Sequence, residues 1–495
     1  MRKIFAKPVT MGIIICFLVG CSSPPQWTNV RDRNVCYDLA ALNCDVELPF
    51  GPLSLEDILN IALERNLDLM VKEREIAIQN EIATRELYKI LPRLTVSGEY
   101  SERNKEVIEK TKSIVTGNTT AGAISRERFV RQWDATIAWS VLDFGLAYYR
   151  SRQEKNRGFM ACLEYHRVRQ NLVFEITNRY WEAIVALRAI ESAKAIQEAT
   201  EERQQELKEQ IAKKIISETE GLRNEDKLIA IQIELQSFER KFKSAKAELA
   251  KLMALPPGKS FDLAVIDIAP SQVTIGPIEE LESLALHSRP ELFAQDVQEC
   301  IMIDEVRAAL LEMFPNATLF TGMNYDGDRF IVYNEWLQAG IRATWNLLSI
   351  PQHIHNRNSA QQRVCLARKA RLQLSIGVIT QVRLALLRYQ DTLDRYQLAV
   401  KQKKVKADLL QAAIKESEQG IIPNTALIDF KADALFAEIN AYRIYAETQI
   451  ALEQINNTIG IPLRYNNLNL HYTINEEDAQ HYTTQAKKEP HHSRG

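Results

Sequence analysis

The chain carries one succession of landmarks twice, so whatever fold it adopts must offer two equivalent places. Ala62-Leu63 and Ala285-Leu286 lie 223 positions apart, as do Leu91-Pro92 and Phe314-Pro315. Further on, Trp139-Ser-Val-Leu142 and Trp345-Asn-Leu-Leu348 lie 206 apart, as do Ala254-Leu255-Pro256 and Gly460-Ile461-Pro462. The spacing changes only between these two blocks, where one copy has the longer loop. A period of roughly two hundred residues is too long for a solenoid unit and marks an internally duplicated domain. The copies occupy 53–257 and 278–463, each reading as helix, β-hairpin, long helix and returning helix, with a linker at 258–277.

The first twenty residues stand apart from this repeat. Arg2, Lys3 and Lys7 make a positive start, and 9–19 is an apolar core too short to span a bilayer as a helix. Leu18-Val-Gly-Cys21 follows, which resembles the lipobox of bacterial lipoproteins. The resemblance implies a signal peptide at 1–20 and lipidation of Cys21 as the first mature residue; a plain signal peptide that contains a cysteine is the alternative. Ser22 resembles the outer-membrane sorting choice. Residues 21–52 read as irregular, and 464–495 as a polar tail containing His491 and His492.

Composition narrows the function. Hydrophobic residues make up 46% and charged ones 25%, ordinary for a folded chain. Without the three cations of the leader, 59 basic side chains stand against 64 acidic ones, a formal charge of −5 that gives no sign of nucleic-acid binding. Cys36 and Cys44 are close enough in sequence to pair in an oxidising compartment, whereas Cys162, Cys300 and Cys365 sit singly in helical stretches and read as small hydrophobes.

Each copy opens with a helix, expected over 55–91 with Ser54 as N-cap and Pro92 as the stop, and again over 278–314. Each would be roughly 55 Å long. The second helices are longer: 146–213 has no proline and only Gly158, and 352–419 has only Gly377. A helix of that length, on the order of 100 Å, must lie beside others in a coiled-coil wall. The pattern agrees, because Leu228, Ile231, Leu235, Phe238, Phe242, Ala245, Leu249 and Leu252 alternate three and four apart, as do Ile379, Val382, Leu386, Tyr389, Leu393, Tyr396 and Val400. A soluble coiled coil would carry the same seams.

What separates the readings is a pair of alternating segments. Trp133, Ala135, Ile137, Trp139 and Val141 alternate with Asp134, Thr136, Ala138 and Ser140, and 337–347 repeats the pattern. With weaker strands at 94–101 and 317–325 they form two hairpins, closed by polar outer loops at 101–128 and 326–335. Their lengths approach the roughly 9 to 11 residues of a tilted membrane strand. Four strands cannot close a barrel, for which about eight is the usual minimum, so further strands must come from other copies of the chain. Tyr100, Trp133, Trp139, Tyr325, Trp336 and Trp345 would suit the interfacial girdles. An ordinary sheet capping the helix ends is the bland alternative.

In this order the segments resemble the TolC-like outer-membrane efflux proteins. The features that carry the resemblance are the opening Leu53-Ser-Leu-Glu-Asp-Ile-Leu-Asn-Ile-Ala-Leu-Glu-Arg-Asn66, Leu91-Pro92 before a strand, Leu142-Asp-Phe-Gly145 after one, and Gly460-Ile-Pro-Leu463 at the end. The implied fold is mainly α with a small β part. Long coiled-coil helices form an α-barrel, and four membrane strands per protomer complete a 12-stranded β-barrel in a homotrimer. The implied partners are a periplasmic adaptor protein, an inner-membrane pump and the outer-membrane lipid, with no cofactor. The resemblance also places tip turns and adaptor contacts at Lys214, Ile215 and Ile216 in the first copy, where the glycine is missing and the turn is expected to differ, and at Gly420, Ile421, Ile422 and Pro423 in the second.

In the family, carboxylates shortly after the tip glycine ring the periplasmic entrance. Spacing from Gly420 puts those positions at Ala426 and Asp429, of which only Asp429 is acidic. Asp429 as the gate is weighed against Asp429 as one more solvated helix charge beside Lys431 and Asp433. Other chemistry is sparse. His353 and His355 lack further ligands at useful spacing, so no metal site is expected. No phosphate loop, nucleophile elbow or acid pair points to catalysis. The expected function is a passive efflux conduit; the alternatives are the exit duct of a one-step (type I) protein secretion system and a non-channel coiled-coil lipoprotein of the periplasm.

Overall fold

A computed structural model describes residues 27–42, 48–213, 215–256, 258–265, 275–422 and 427–460. The leader with Cys21, Cys44, Lys214, Pro423, Ala426, the last three residues of the Gly460–Leu463 motif and the tail with His491 and His492 lie outside them. Nine α-helices are defined among the described residues: α1 (Trp27–Leu42), α2 (Leu55–Arg65), α3 (Leu67–Tyr88), α4 (Val141–Ala212), α5 (Glu218–Leu252), α6 (Ile278–Ser288), α7 (Pro290–Leu311), α8 (Ile350–Glu418) and α9 (Leu427–Ile459). The strands are β1 (Arg93–Glu102), β2 (Val107–Glu109), β3 (Ala123–Arg126), β4 (Phe129–Ser140), β5 (Asn316–Asp326) and β6 (Glu335–Thr344). The chain is mostly helical with a small sheet part. It divides into two compact units: Met1–Asn66, Ile176–Ile268 and Lys406–Ile439 form the first, and Leu67–Glu175, Ala269–Val405 and Asn440–Gly495 the second.

Several elements depart from the sequence reading for identifiable reasons. The helix expected over 55–91 is two helices. Asn66 turns out of the α region (ψ 125°), and its buried side-chain amide donates to the Leu252 carbonyl at 3.0 Å, which fixes the break. The counterpart over 278–314 breaks at Arg289 (ψ 123°), the residue that Pro290 excludes from helix. At the start of α2, Ser54 accepts from the Asp57 amide (3.2 Å) while the Asp57 carboxylate accepts from the Ser54 amide (2.9 Å), a capping box. These hydrogen bonds to Ser54 hold the Asp57 carboxyl below its ordinary value. The stretch 21–52 is not wholly irregular, since it contains α1, none of whose residues is buried and which carries the exposed Cys36. Val141 opens α4 instead of ending β4, and the first outer loop holds the small β2–β3 hairpin.

In the first unit, α4 packs Ala189, Ala193 and Ile196 against Leu235 and Phe238 of α5 and Leu435 and Ile439 of α9. The α5 seam is the one its sequence spells: Leu228, Leu235, Phe238, Ala245, Leu249 and Leu252 are buried, with Ile231 and Phe242 half-buried. In the second unit, α8 buries Val382 and Tyr389 of the expected seam but puts Val378 and Ala385 in place of Ile379 and Leu386. Val378, Val382, Ala385 and Tyr389 pack on Leu281, Ala285 and Leu292 of α6 and α7 and on Ala451, Leu452, Ile455 and Ile459 of α9. Ile379, Leu386 and Leu393 lie at the edge of that contact, and Val400 is exposed. Small side chains let the helices approach; the bulkier ones of the expected seam flank the contact. Elsewhere on α8, Leu372, Ile376, Leu384, Leu387, Leu398 and Val405 are exposed.

Four strands form one antiparallel sheet in the order β1-β4-β5-β6. The register pairs Trp133 with Gly98 and Tyr325, Ala135 with Val96 and Met323, and Ile137 with Leu94 and Thr321. One face therefore collects Leu94, Val96, Tyr100, Trp133, Ile137, Trp139, Leu319, Met323, Leu337 and Ile341, and the other Ser97, Asp134, Asn324, Gln338 and Arg342. Among the described residues, β1 and β6 each have one unpaired edge.

Two helix ends 206 positions apart yield a stability test. After α5 the chain turns through Ala254 at φ 50°, closed by Leu255 N–H to Ala250 O at 2.9 Å; after α9 it turns through Gly460 at φ 78°. An L-residue is strained in this conformation by about 1 kcal/mol or more. Ala254→Gly is expected to raise the thermal midpoint, by roughly 0.5 kcal/mol net of the added freedom of the unfolded chain. Gly460→Ala lowers it, because the new Cβ would also stand 3.2 Å from the Ser288 carbonyl oxygen. Melting curves of both variants in detergent give the signs.

Candidate functional site

The sheet puts five of the six expected girdle residues where its apolar surface ends. Trp133 and Tyr325, opposite each other on β4 and β5, stack with centroids 5.8 Å apart, and Tyr100 is exposed two pairs further toward the loops. At the helix end, Trp139 packs edge-on to Phe144 at 5.6 Å and donates its indole N–H to the Ile90 carbonyl at 3.2 Å. Trp345 is exposed just after β6. Trp336 does not join them: it pairs with Asn324 and so lies on the polar face with Asp134 and Ser97. Sequence reading missed its placement because 336 is out of phase with the apolar run Leu337, Ala339 and Ile341. Exposed apolar side chains continue into the strand-to-helix junctions as Leu91, Val141, Phe314, Leu347 and Leu348, the last 93% exposed. The period-two pattern had collected Val141 and Leu347; Leu91, Phe314 and Leu348 sit where it gives way to period 3.6.

The outer end of the sheet is held by buried acids. Asp326 accepts from the Gln132 amide (2.6 Å) and the Asp328 N–H (3.1 Å), and Asp328 accepts from the Phe330 N–H (3.1 Å). The Arg126 guanidinium lies 3.6 Å from each. The second outer loop is thus tied to the first, through charges that sequence spacing alone did not connect.

Both helix tips lie in the first unit. Gly420 has φ 72°, with its own N–H on the Ser417 carbonyl (3.0 Å) and the Ile421 N–H on the Glu416 carbonyl (2.9 Å), a Schellman closure. At the other tip, Ile215 N–H reaches the Gln210 carbonyl at the same 2.9 Å. That closing bond is equivalent although no glycine stands there, so the expected difference in turn shape does not extend to it. Ser217 caps α5 through the Glu220 N–H (3.2 Å). Ile215 and Ile421 are each 66% exposed, while Ile216 and Ile422 are half-buried. Asp429 stands in the first turn of α9, and its carboxylate meets Lys227 of α5 at 3.5 Å; the two side chains are 51% and 59% exposed. Asp433, one turn on, pairs with Lys406 of α8 at 2.5 Å.

In the second unit, a groove of about 600 Å³ between α3, α4 and α7 is floored by Ile78, Met160, Leu163 and Ala294. At one end of it, Glu291 is bracketed by Arg167 (2.6 Å) and the 5% exposed Arg289 (2.9 Å). Burial raises the Glu291 carboxyl, but the hydrogen bonds from Arg289 and the charges of both guanidiniums outweigh it and hold it below its ordinary value. His353 contacts Ser349 Oγ at 3.1 Å and Glu312 at 3.8 Å. No group of three His, Cys, Asp or Glu that could hold a metal ion is found among the described residues.

No protein-family model and no curated protein sequence matches the chain. Solved structures do. The chain is similar to the outer-membrane channel OprN, with a TM-score of 0.67 at 18% identity over 82% of this chain and 90% of that one. It is similar to the CmeC outer-membrane channel of Campylobacter jejuni, with a TM-score of 0.68 at 14% identity over 82% and 85%. The MtrE outer-membrane channel of Neisseria gonorrhoeae in its open state gives 0.66 at 16% identity over 82% and 89%. The chain therefore has the fold of the TolC-like outer-membrane channels.

The tip glycine provides a local test. Nothing lies within 4 Å of a Cβ built on Gly420, so Gly420→Ala acts through the backbone alone. It is expected to cost about 1 kcal/mol locally and to speed hydrogen exchange of the Ile421 amide roughly fivefold. Amides in β4 and β5 should exchange unchanged.

Proposed function

We propose that this chain is the outer-membrane channel of a tripartite efflux system, a passive conduit and not an enzyme. The observation that carries the reading is the pair of unpaired edges on β1 and β6, on a sheet with one apolar face. A sheet in hydrocarbon must pair every edge, and three copies supply the twelve strands that close a barrel with the apolar face toward lipid. The internal duplication supports the same arrangement, since it gives each protomer two hairpins. The exposed apolar side chains of α8 offer each protomer a surface for its neighbours. Lipidation at Cys21 would anchor the trimer in the outer membrane.

In this reading the tips at Lys214, Ile215 and Ile216 and at Gly420, Ile421, Ile422 and Pro423 meet a periplasmic adaptor, which joins the conduit to an inner-membrane pump. The exposed Ile215 and Ile421 are the apolar contacts such a partner would cover. Three copies of Asp429 form the gate ring, each partly neutralised by its Lys227.

Two measurements test this. Purified protein from the outer-membrane fraction should run as a heat-modifiable trimer and conduct ions in planar bilayers; a stable monomer that never inserts overturns the conduit. In conducting channels, Asp429→Ala should weaken block by Mg²⁺ or Ca²⁺, on the order of tenfold, while Lys227→Ala should deepen it a few-fold. Unchanged block in both variants removes Asp429 from the gate.

A further inference from the structure

The polar face of the sheet carries an arginine that no function above absorbs. Arg342 lies near the helix-proximal end of β6, level with Thr318 of β5 and Ser140 of β4. Its guanidinium carbon sits 5.4 Å from the centroid of the Phe320 ring. Phe320 is opposite Gly340, two residues before Arg342 on the same strand. A Cβ on Gly340 would stand 2.8 Å from Phe320 Cζ, so the ring occupies the space the glycine leaves. Glycine, ring and guanidinium make a built stack: the bare strand admits the ring, and the ring's face braces the cation.

The charges around this stack are unequal. Arg93, also on the polar face near this end, is paired with Asp143 at 3.3 Å. Arg342 makes no ion pair among the described residues and is exposed. The acids of the same face, Glu99, Asp134 and Asp326, lie toward the loop end. Asp326 is covered by Arg126 and Gln132. Among the described residues, the face thus runs from a cation without an ion pair near its helix end to carboxylates without ion pairs farther toward its loop end, Glu99 and Asp134, the latter hydrogen-bonded by Ser97.

We propose that Arg342, braced by Phe320, is a selectivity element of the pore: a ring of three guanidiniums at the inner end of the barrel that draws anionic solutes out of the helical tunnel. The inference rests on the reading of the sheet as one third of a barrel wall, which turns its polar face to the lumen. A guanidinium on a ring holds its charge without a carboxylate to neutralise it, so its field reaches the passing solute. Three unit charges each about 10 Å from an ion change its local concentration roughly twofold at 0.1 M salt and about fourfold at 0.01 M, where screening is weaker.

The test is the reversal potential of the purified trimer in planar bilayers under a KCl gradient, with chloride as the probe anion. Because the guanidiniums enrich chloride and deplete potassium by the same factor, Arg342→Ala should lower the chloride-to-potassium permeability ratio roughly fourfold at 0.1 M mean salt and about sixteenfold at 0.01 M. Arg342→Lys should keep most of the wild-type ratio. Phe320→Leu, which leaves the charge and removes the brace, should give a smaller fall in the same direction. If Arg342→Ala still conducts with an unchanged reversal potential at both salt levels, or if Arg342→Lys behaves as Arg342→Ala, the selectivity role is overturned and the conduit stands. If the wild-type protein conducts nothing, the conduit fails and this role with it.

Discussion

A four-stranded antiparallel sheet leaves a row of backbone N–H and C=O groups unpaired along each outer strand, and here those strands are β1 and β6. In water such edges are a hazard that proteins blunt with charge, proline or bulges. Both edges carry charges, but neither is blunted by proline or a bulge: β1 and β6 run ten residues each and pair with their single neighbours in unbroken register. Edges left regular and long are edges meant to be paired. Together with the apolar face this constraint fixes the direction of everything else. In the proposed conduit the sheet takes partners along its edges and lipid on one side, and its polar face is the one left for a lumen.

The transition from strand to helix is where the two halves of the design meet. At the end of β4, the Ser140 hydroxyl accepts from the Asp143 N–H at 3.0 Å and donates to Asn316 Oδ1 at 2.7 Å, so one side chain both starts α4 and ties it to β5. At the end of β6, Asn346 accepts from the Leu348 N–H at 3.2 Å and opens a short 3-10 turn before α8. Each junction meets the unsatisfied first amides of a helix with a side-chain acceptor, as a helix start requires. The apolar residues exposed beside these caps, Val141, Leu347 and Leu348, extend the lipid-compatible surface past the strand ends. An apolar belt wider than the strands is consistent with junctions at the level of a membrane interface instead of bulk water.

The sequence was legible wherever a period governs and illegible wherever a single side chain decides. The alternation of β4 and the seam of α5 are long periodic signals, and the structure follows the first as far as Ser140 and the second along its whole length, with Ile231 and Phe242 half-buried. The break at Asn66 depends on one amide reaching Leu252, 186 positions away, and no window along the chain contains both. At the equivalent break Pro290 was visible, yet it stood inside a helical pattern that was read straight through it. The buried stripe of α8 was read one residue off at Ile379, Leu386 and Val400 because apolar residues stand at 378 and 379, 385 and 386, and 399 and 400 in adjacent pairs, and sequence cannot say which member faces the partner. Packing chose Val378 and Ala385 over Ile379 and Leu386 because smaller side chains bring the backbones closer. The aromatics expected as girdle residues follow the same rule: Tyr100, Trp133, Trp139 and Tyr325 are in phase with the apolar face, and Trp336 is out of phase with it.

Asp429 illustrates how spacing can name a candidate while saying nothing of its surroundings. Counting from Gly420 reaches the first turn of α9, but the count carries no information about Lys227, which approaches from α5. The pair is exposed on both sides, so its attraction is worth under about 1 kcal/mol and is weakened further by salt. A bond that weak is a poor clamp and a good adjustable charge: it leaves the carboxylate able to exchange its lysine for a cation. A divalent ion competing with Lys227 must displace one positive charge to bring two, a trade that improves as more carboxylates converge on the same point. The proposed threefold assembly would supply that convergence, and the charge at the entrance would then belong to the assembled ring and not to the single helix on which Asp429 stands.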